Sequence, residues 1–365
     1  MNFYYYFCSV VNHIYERFVN YLSNFSLINI MEDRFINPYT DYGFKKLFGT
    51  EQNADLLTSF LNALIAHDDQ PSDPIVSITY KNVEHIGEIN TMRSSYFDVF
   101  CQTQSGTDFI VEMQNGKQIY FKDRSLYYAT IPIQDQGKKG KAKAEAEALA
   151  LEKELARKGD QAPMAKKPAK GWNYHLKDVY LVAILDFNFP GGEYADDDYF
   201  HEIKLMDVKD KHVFYDKLTL IYLEMPKLEK RGFRLETMRD KWMYALYSLC
   251  YTDEQPEELK EEVFLKLFRE AEVARFNETQ ILSYRESLRD LWDCYSTWEC
   301  ASQEGIEIGV AKGKEIGLAE GKELGLAEGE AKTNLENALK MKALGIDDET
   351  ITKVTGLKPE EFETL

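Results

Sequence analysis

Apolar positions first fall into step in "YTDYGFKKLFGTEQNADLLTSFLNALI". Leu57, Phe60, Leu61 and Leu64 share one side of a helix expected over Ala54–Leu64. Ahead of it the spacing predicts a short helix over Tyr42–Phe48, capped by Thr40 or Asp41 and stopped by Gly49. "DDQPSDP" then reads as a loop. Three strand-like runs follow, Ile75–Glu88, Ser95–Gln102 and Thr107–Gln114, and the last two flank "TQSGT", which suits a hairpin. Ile119–Thr130 reads as a helix that ends before Pro132. "VYLVAILDF" (Val179–Phe187) is the strongest buried strand, and "YFHEIKLMDV" and "LTLIYLEMP" predict two more. From Leu235 to Ala301 the pattern is helical, over Thr237–Leu249, Glu257–Phe268 and Glu278–Trp298.

Two stretches break this pattern. Residues 137–170 are low-complexity Ala/Lys/Glu sequence, helical in the middle and Pro-punctuated at the end, with ten Lys/Arg against five Asp/Glu. That is an insertion: a solvated arm, or a nucleic-acid contact. Further on, Gly305, Gly309, Gly313, Gly317, Gly321, Gly325 and Gly329 recur every four residues within the octads "GVAKGKEI", "GLAEGKEL" and "GLAEGEAK". Glycine inside a helix costs about 1 kcal/mol against alanine, so the predicted arm is marginal alone: a flexible or self-associating helix, with a homodimer as one outcome. Its Glu and Lys residues exclude a membrane dimer, and "GVAKGK" is too short for a phosphate loop. The end, "MKALGIDDETITKVTGLKPEEFETL", has the rhythm of a helix-turn-helix, but Asp347, Asp348, Glu349, Glu360 and Glu361 argue against DNA contact there.

Composition narrows the class. The chain has 365 residues, 44% of them hydrophobic, with 21 Phe, 23 Tyr and 4 Trp, enough to bury a sizeable core. A net charge of −18 argues against non-specific nucleic-acid binding by the whole surface and leaves room for a local basic groove. Five scattered cysteines without a C-x-x-C pair predict a reduced, cytoplasmic chain with no zinc site or disulfide framework. The aromatic start, residues 1–30, lacks the ~18 uninterrupted apolar residues of a membrane span and the marks of a signal peptide. It reads as an extension ahead of a functional start at Met31, and no membrane partner is expected.

The candidate chemistry sits on the hairpin. "TDFIVEMQNG" is a buried-looking strand, yet Glu112 and Gln114, two positions apart, face the same way. A turn centred on Ser105 sets Asp98, in the otherwise apolar "SSYFDVFCQ", opposite Glu112. Paired positions bring Cβ atoms to roughly 4.5–5.5 Å. Spacing alone allows two readings. Either both carboxylates face solvent on a half-exposed sheet, or they repel unless a cation lies between them, making half of a Mg²⁺ site that a phosphate and waters complete. On the following helix Arg124 and Tyr128 are i, i+4 and share a face, so Arg124 either contacts a phosphate, braces the carboxylates or forms a structural ion pair. Asp41 and Lys45 are also i, i+4. Asp41 is a helix cap, or one of the two reaches the site if the first helix packs beside the hairpin.

Taken together, "YTDYGFKKLFG", "YFDVFCQTQSGTDFIVEMQ", "YFKDRSLYYATIPIQDQ" and "WNYHLKDVYLVAILDF" resemble the Rpn-type recombination-promoting nucleases, also described as PD-(D/E)xK nuclease family transposases. The resemblance covers about Asn37 to Trp298 and extends loosely to the Gly-repeat arm and the "TGLKPEEF" end; Lys141–Lys170 interrupts it and the stretch before Met31 lies outside it. It implies an α/β restriction-endonuclease-like core, a central mixed sheet flanked by helices, over 31–235 with the 137–170 insertion. A helical region (236–301), the Gly-repeat arm (302–340) and the helix-turn-helix-like end (341–365) follow. It implies hydrolysis of DNA phosphodiesters with Mg²⁺ (Mn²⁺ or Ca²⁺ as alternatives), a link to recombination or mobile DNA, and no organic cofactor. Carried over by motif, Asp98 and Glu112 become metal ligands, the Met113 carbonyl a third oxygen donor, and Gln114 stands where the wider superfamily has lysine. A neutral amide orients water but supplies no charge. A catalytically weak DNA- or protein-binding member of the same fold is therefore the alternative.

Overall fold

The computed structural model describes residues 34–66, 73–81, 84–85, 95–158, 171–189, 194–195 and 197–363. The extension over 1–30 and the Pro-punctuated stretch 159–170 lie outside the described residues. Two compact units divide the chain, Met1–Cys294 and Tyr295–Leu365.

In the first unit a six-stranded mixed sheet has the order β1-β4-β5-β6-β8-β7. Its strands are β1 (Ile78–Tyr80), β4 (Val99–Thr103), β5 (Asp108–Gln114), β6 (Val179–Leu185), β7 (Phe200–Met206) and β8 (Val213–Glu224). β2 (Glu84–His85) and β3 (Ser95–Tyr96) pair separately. The parallel pairs β5–β6 and β6–β8 are central, and the antiparallel pairs lie outside them. Parallel strands are covered on both faces and therefore read as continuous apolar runs, as "VYLVAIL" and "DFIV" do. Phe109, Val111 and Met113 alternate with Ile110 between two cores. The larger core is completed by α1 (Asp41–Phe48), α2 (Ala54–Ile65), α5 (Met238–Tyr251), α6 (Glu262–Ala271) and the start of α7 (Glu278–Ala343). The smaller lies under α3 (Phe121–Lys158), and α4 (Pro226–Arg231) follows β8.

The structure corrects several expected boundaries. Among the described residues of the run Ile75–Glu88, Ile78–Tyr80 joins the main sheet while Glu84–His85 pairs with Ser95–Tyr96 instead. The helix expected to end before Pro132 instead runs for 38 residues to Lys158. A proline removes one helical hydrogen bond, and the Ala/Lys/Glu sequence beyond it consists of strong helix formers that continue the turn. The helix expected over Glu257–Phe268 starts at Glu262 and ends at Ala271. The helix expected to close at Trp298 and the Gly-repeat arm form one 66-residue helix.

In the second unit α7 continues to Ala343, followed by α8 (Asp348–Thr355) and α9 (Pro359–Glu363). Asp347 caps α8 by accepting from Thr350 N at 3.0 Å, and Gly356 ends it at φ 74°, where a side chain would be strained. Ala338, Ile351 and Phe362 form a small core of their own. Among the described residues no helix is long and apolar enough to cross a membrane.

Candidate active site

The hairpin has the register that a turn at Ser105 demands: Val99 pairs with Val111, Phe100 with Ile110, Cys101 with Phe109 and Gln102 with Asp108. Asp98 sits in a bend one residue before β4, and its Oδ2 accepts a 2.6 Å hydrogen bond from the Met113 amide. The N–H and C=O of one strand residue point to the same side, so the Met113 carbonyl also faces this edge, past the start of β4. Glu112 and Gln114 lie on the Ile110 face, beneath α3, and both are buried. Of the two readings left open by spacing, the solvent-facing one is excluded for Glu112.

This burial is electrostatically costly. Glu112 Oε1 is buried with no hydrogen-bond partner among the described residues. Burial pushes Glu112 well above the usual carboxylate range and the charge of Asp98 adds to it. Arg124, a backbone hydrogen bond at Asp98, and Lys45 pull the other way. Burial likewise pushes Asp98 up to about 6, helped by Asp41 and opposed by the Met113 amide, Lys45 and Arg124. Two neighbouring carboxylates raised in this way are costly to keep ionised together, and either a proton or a nearby cation relieves that cost. No group of three or more His, Cys, Asp or Glu able to hold a metal occurs among the described residues. The donors present are thus two carboxylates and a carbonyl, a set that fits a hard ion retaining several waters, as Mg²⁺ does.

The auxiliary residues converge here. The Arg124 Nη2 donates to Gln114 Oε1, while its Nε is buried with no hydrogen-bond partner among the described residues. Its guanidinium lies 5.1 Å from the Phe121 ring centre and 5.5 Å from that of Tyr128, so both rings lie against the cation. Thr40 caps α1 by accepting from Gly43 N, which leaves Asp41 free of the capping role and paired with Lys45 at 2.6 Å. The Asn115 side chain, one residue past β5, bonds the Tyr39 carbonyl just ahead of α1, and from there Asp41 raises and Lys45 lowers the Asp98 value.

Three residues that hold α1 in place are not among those picked out in the sequence. Asn115 Nδ2 donates to the Tyr39 carbonyl, the Asn37 amide donates to Tyr284 Oη at 2.8 Å, and the Tyr42 amide to Ser287 Oγ at 3.0 Å. Only the polar Asn115 directly after the strand hints at such a role. A second network also escapes the sequence. In register with Gln114 across β6, the fully buried Glu224 accepts from Lys227 Nζ at 2.9 Å and from the Phe189 amide at 2.7 Å. It also meets His201 Nε2 at 2.6 Å. These bonds tie the loop after β6 to the same end of the sheet as the carboxylates.

A mixed sheet flanked by helices, with paired carboxylates where an antiparallel hairpin meets the parallel strands, defines a restriction-endonuclease-like α/β core. The chain belongs to the PD-(D/E)XK nuclease family transposases, whose family model matches residues 38–152 and 161–301. The unmatched residues 153–160 fall within the basic stretch that reads as an insertion. No curated protein and no solved structure matches the chain.

Proposed function

We propose that the protein is a Mg²⁺-dependent DNA endonuclease, acting in the recombination or mobility of DNA. The observation that carries this reading is the buried Glu112 Oε1 beside Asp98, which has no hydrogen-bond partner among the described residues. A fold keeps such a pair when a cation joins it, and family membership supplies the class of substrate. Asp98, Glu112 and the Met113 carbonyl would hold the ion, which when bound polarises the scissile phosphate and lowers the pKa of water. Gln114 has no charge to give. It orients water through its amide and is itself held by Arg124. Arg124 and Lys45 supply the positive charge that the superfamily draws from a lysine.

The missing lysine also favours a second reading, a catalytically weak member that binds DNA or protein. Plasmid nicking by purified protein, with Mg²⁺ and with EDTA, separates the two. The nuclease reading expects metal-dependent nicking, lost in Asp98→Ala and in Glu112→Ala by at least about 100-fold, as for removal of a principal transition-state contact. Nicking that survives either change would defeat this site. DNA binding without nicking by any form would establish the second reading.

A further inference from the structure

Residues 115–127 expose, beside the carboxylates, side chains that phosphodiester hydrolysis alone does not require. Ile119 is 90% exposed and Tyr120 74%, while Leu126 and Tyr127 are each 50% exposed. Tyr120 lies one helical turn before Arg124, whose amide donates to the Tyr120 carbonyl at 3.0 Å and whose Nη2 reaches Gln114. Tyr120 thus immediately precedes α3 and sits one turn ahead of the arginine that touches the site. Lys117 and Lys122 are exposed around it, with Lys122 Nζ 4.8 Å from the Phe189 ring centre. The segment carries Lys117, Lys122 and Arg124 against Asp123 alone, in a chain of net charge −18. The segment itself thus carries net positive charge with apolar and aromatic tips, and it follows directly on the strand that bears Glu112 and Gln114.

Those two features match different parts of one ligand. The cations match a phosphate backbone. The isoleucine and tyrosine match the faces of bases, which a paired duplex keeps stacked away and an unpaired strand presents. Apolar side chains also wedge between bases where a duplex is already weakened. Building on the DNA endonuclease reading, we infer that the preferred substrate is DNA with unpaired nucleotides at the scissile phosphate, as in a gap, fork or single strand. Ile119 and Tyr120 seat the unstacked bases, and Lys117 and Lys122 hold the flanking backbone.

The test compares a labelled paired duplex with the same duplex carrying a short single-stranded gap. Binding of each to full-length Asp98→Asn protein is followed by fluorescence anisotropy, and cutting by wild type is mapped on each. The expected result is tighter binding and faster cutting of the gapped DNA, with cuts at the gap edge. The Ile119→Ala/Tyr120→Ala double variant should lose about 5- to 100-fold of that preference, the range given by removing base–aromatic stacks, with an unchanged melting temperature. Equal binding of the two DNAs, or a preference that survives the double variant, would overturn the inference while Asp98-dependent cutting would still uphold the nuclease reading. Absence of both binding and cutting would defeat both readings. A dimer mass for wild type that the double variant abolishes would mark the patch as a contact between copies and also overturn it.

Discussion

Glu112 occupies a sheet position that an aliphatic side chain would fill at no electrostatic cost. Its burial next to Asp98 has a definite pH signature. In an unfolded chain both carboxyls titrate near 4, whereas in the fold burial pushes Asp98 up to about 6 and Glu112 well above its ordinary value. The native state thus binds these protons more tightly than the unfolded state. The stability that this pair contributes is therefore fully present below about pH 4 and is lost as pH rises through the folded values. In EDTA, urea unfolding should show a loss of roughly 2–3 kcal/mol between pH 4 and pH 7 from Asp98. Glu112→Gln, which mimics the protonated acid, should flatten that fall and be more stable than wild type at pH 7. Mg²⁺ should restore wild type by about 2.7 kcal/mol at a hundredfold excess over its Kd and leave Glu112→Gln unmoved. Parallel pH profiles for the two proteins would refute the cation-site reading. The Asp98–Glu112 pairing was legible in the sequence because a turn at Ser105 fixes the register of both strands. The clamp by Tyr284 and Ser287 was not, since those residues lie 247 and 245 positions from their partners and no local pattern reports on them.

At the scale of elements, strands and amphipathic helices followed from period, and the errors came where local chemistry competes with context. Pro132 is a strong stop signal, yet α3 passes through it and Pro132 is buried. Beyond the proline, Gly137 and Gly140 leave room for Trp172, the first residue of "WNYHLK". A Cβ built at Gly140 would lie 2.4 Å from Trp172 Nε1, and one at Gly137 would lie 3.1 Å from the ring. The two glycines thus let the returning chain cross the helix closely, and the ring of Trp172 in turn stacks near Tyr174 at 5.0 Å. Gly140→Ala adds helix propensity of about 1 kcal/mol but displaces the indole, an overpacking cost of about 1–3 kcal/mol. The expected outcome is no net gain in stability and a red-shifted tryptophan emission as Trp172 moves into water. Emission identical to wild type, with a raised melting temperature, would mean that the crossing is loose and that α3 beyond Pro132 is an independent arm.

At the scale of the whole molecule, α7 is the element whose continuity least matches its composition. Its seven glycines at four-residue spacing meet nothing within 4 Å of a built Cβ, and Ile308, Val310, Ile316, Leu318, Leu324 and Leu326 are exposed. At 3.6 residues per turn, a spacing of four drifts about 40° per step. The glycine row therefore winds around the helix and offers no straight seam. Each glycine costs about 1 kcal/mol, so the repeat should open far more readily than the rest of its helix. Beyond it, Ala338 packs with Ile351 and Phe362, and that small core should protect the last turns. Hydrogen exchange on the full chain should show fast amides over 305–329 and slower ones over 335–343. Replacing Gly313, Gly317 and Gly321 by alanine should slow the repeat by up to about two powers of ten, since each replacement is worth about 1 kcal/mol and 1.4 kcal/mol is a factor of ten. Slow exchange across 305–329 in the wild type, at concentrations where the protein is a dimer, would instead mean that a second copy covers the arm. The alanines would then speed exchange by blocking close approach, and that opposite sign is what makes the measurement decisive.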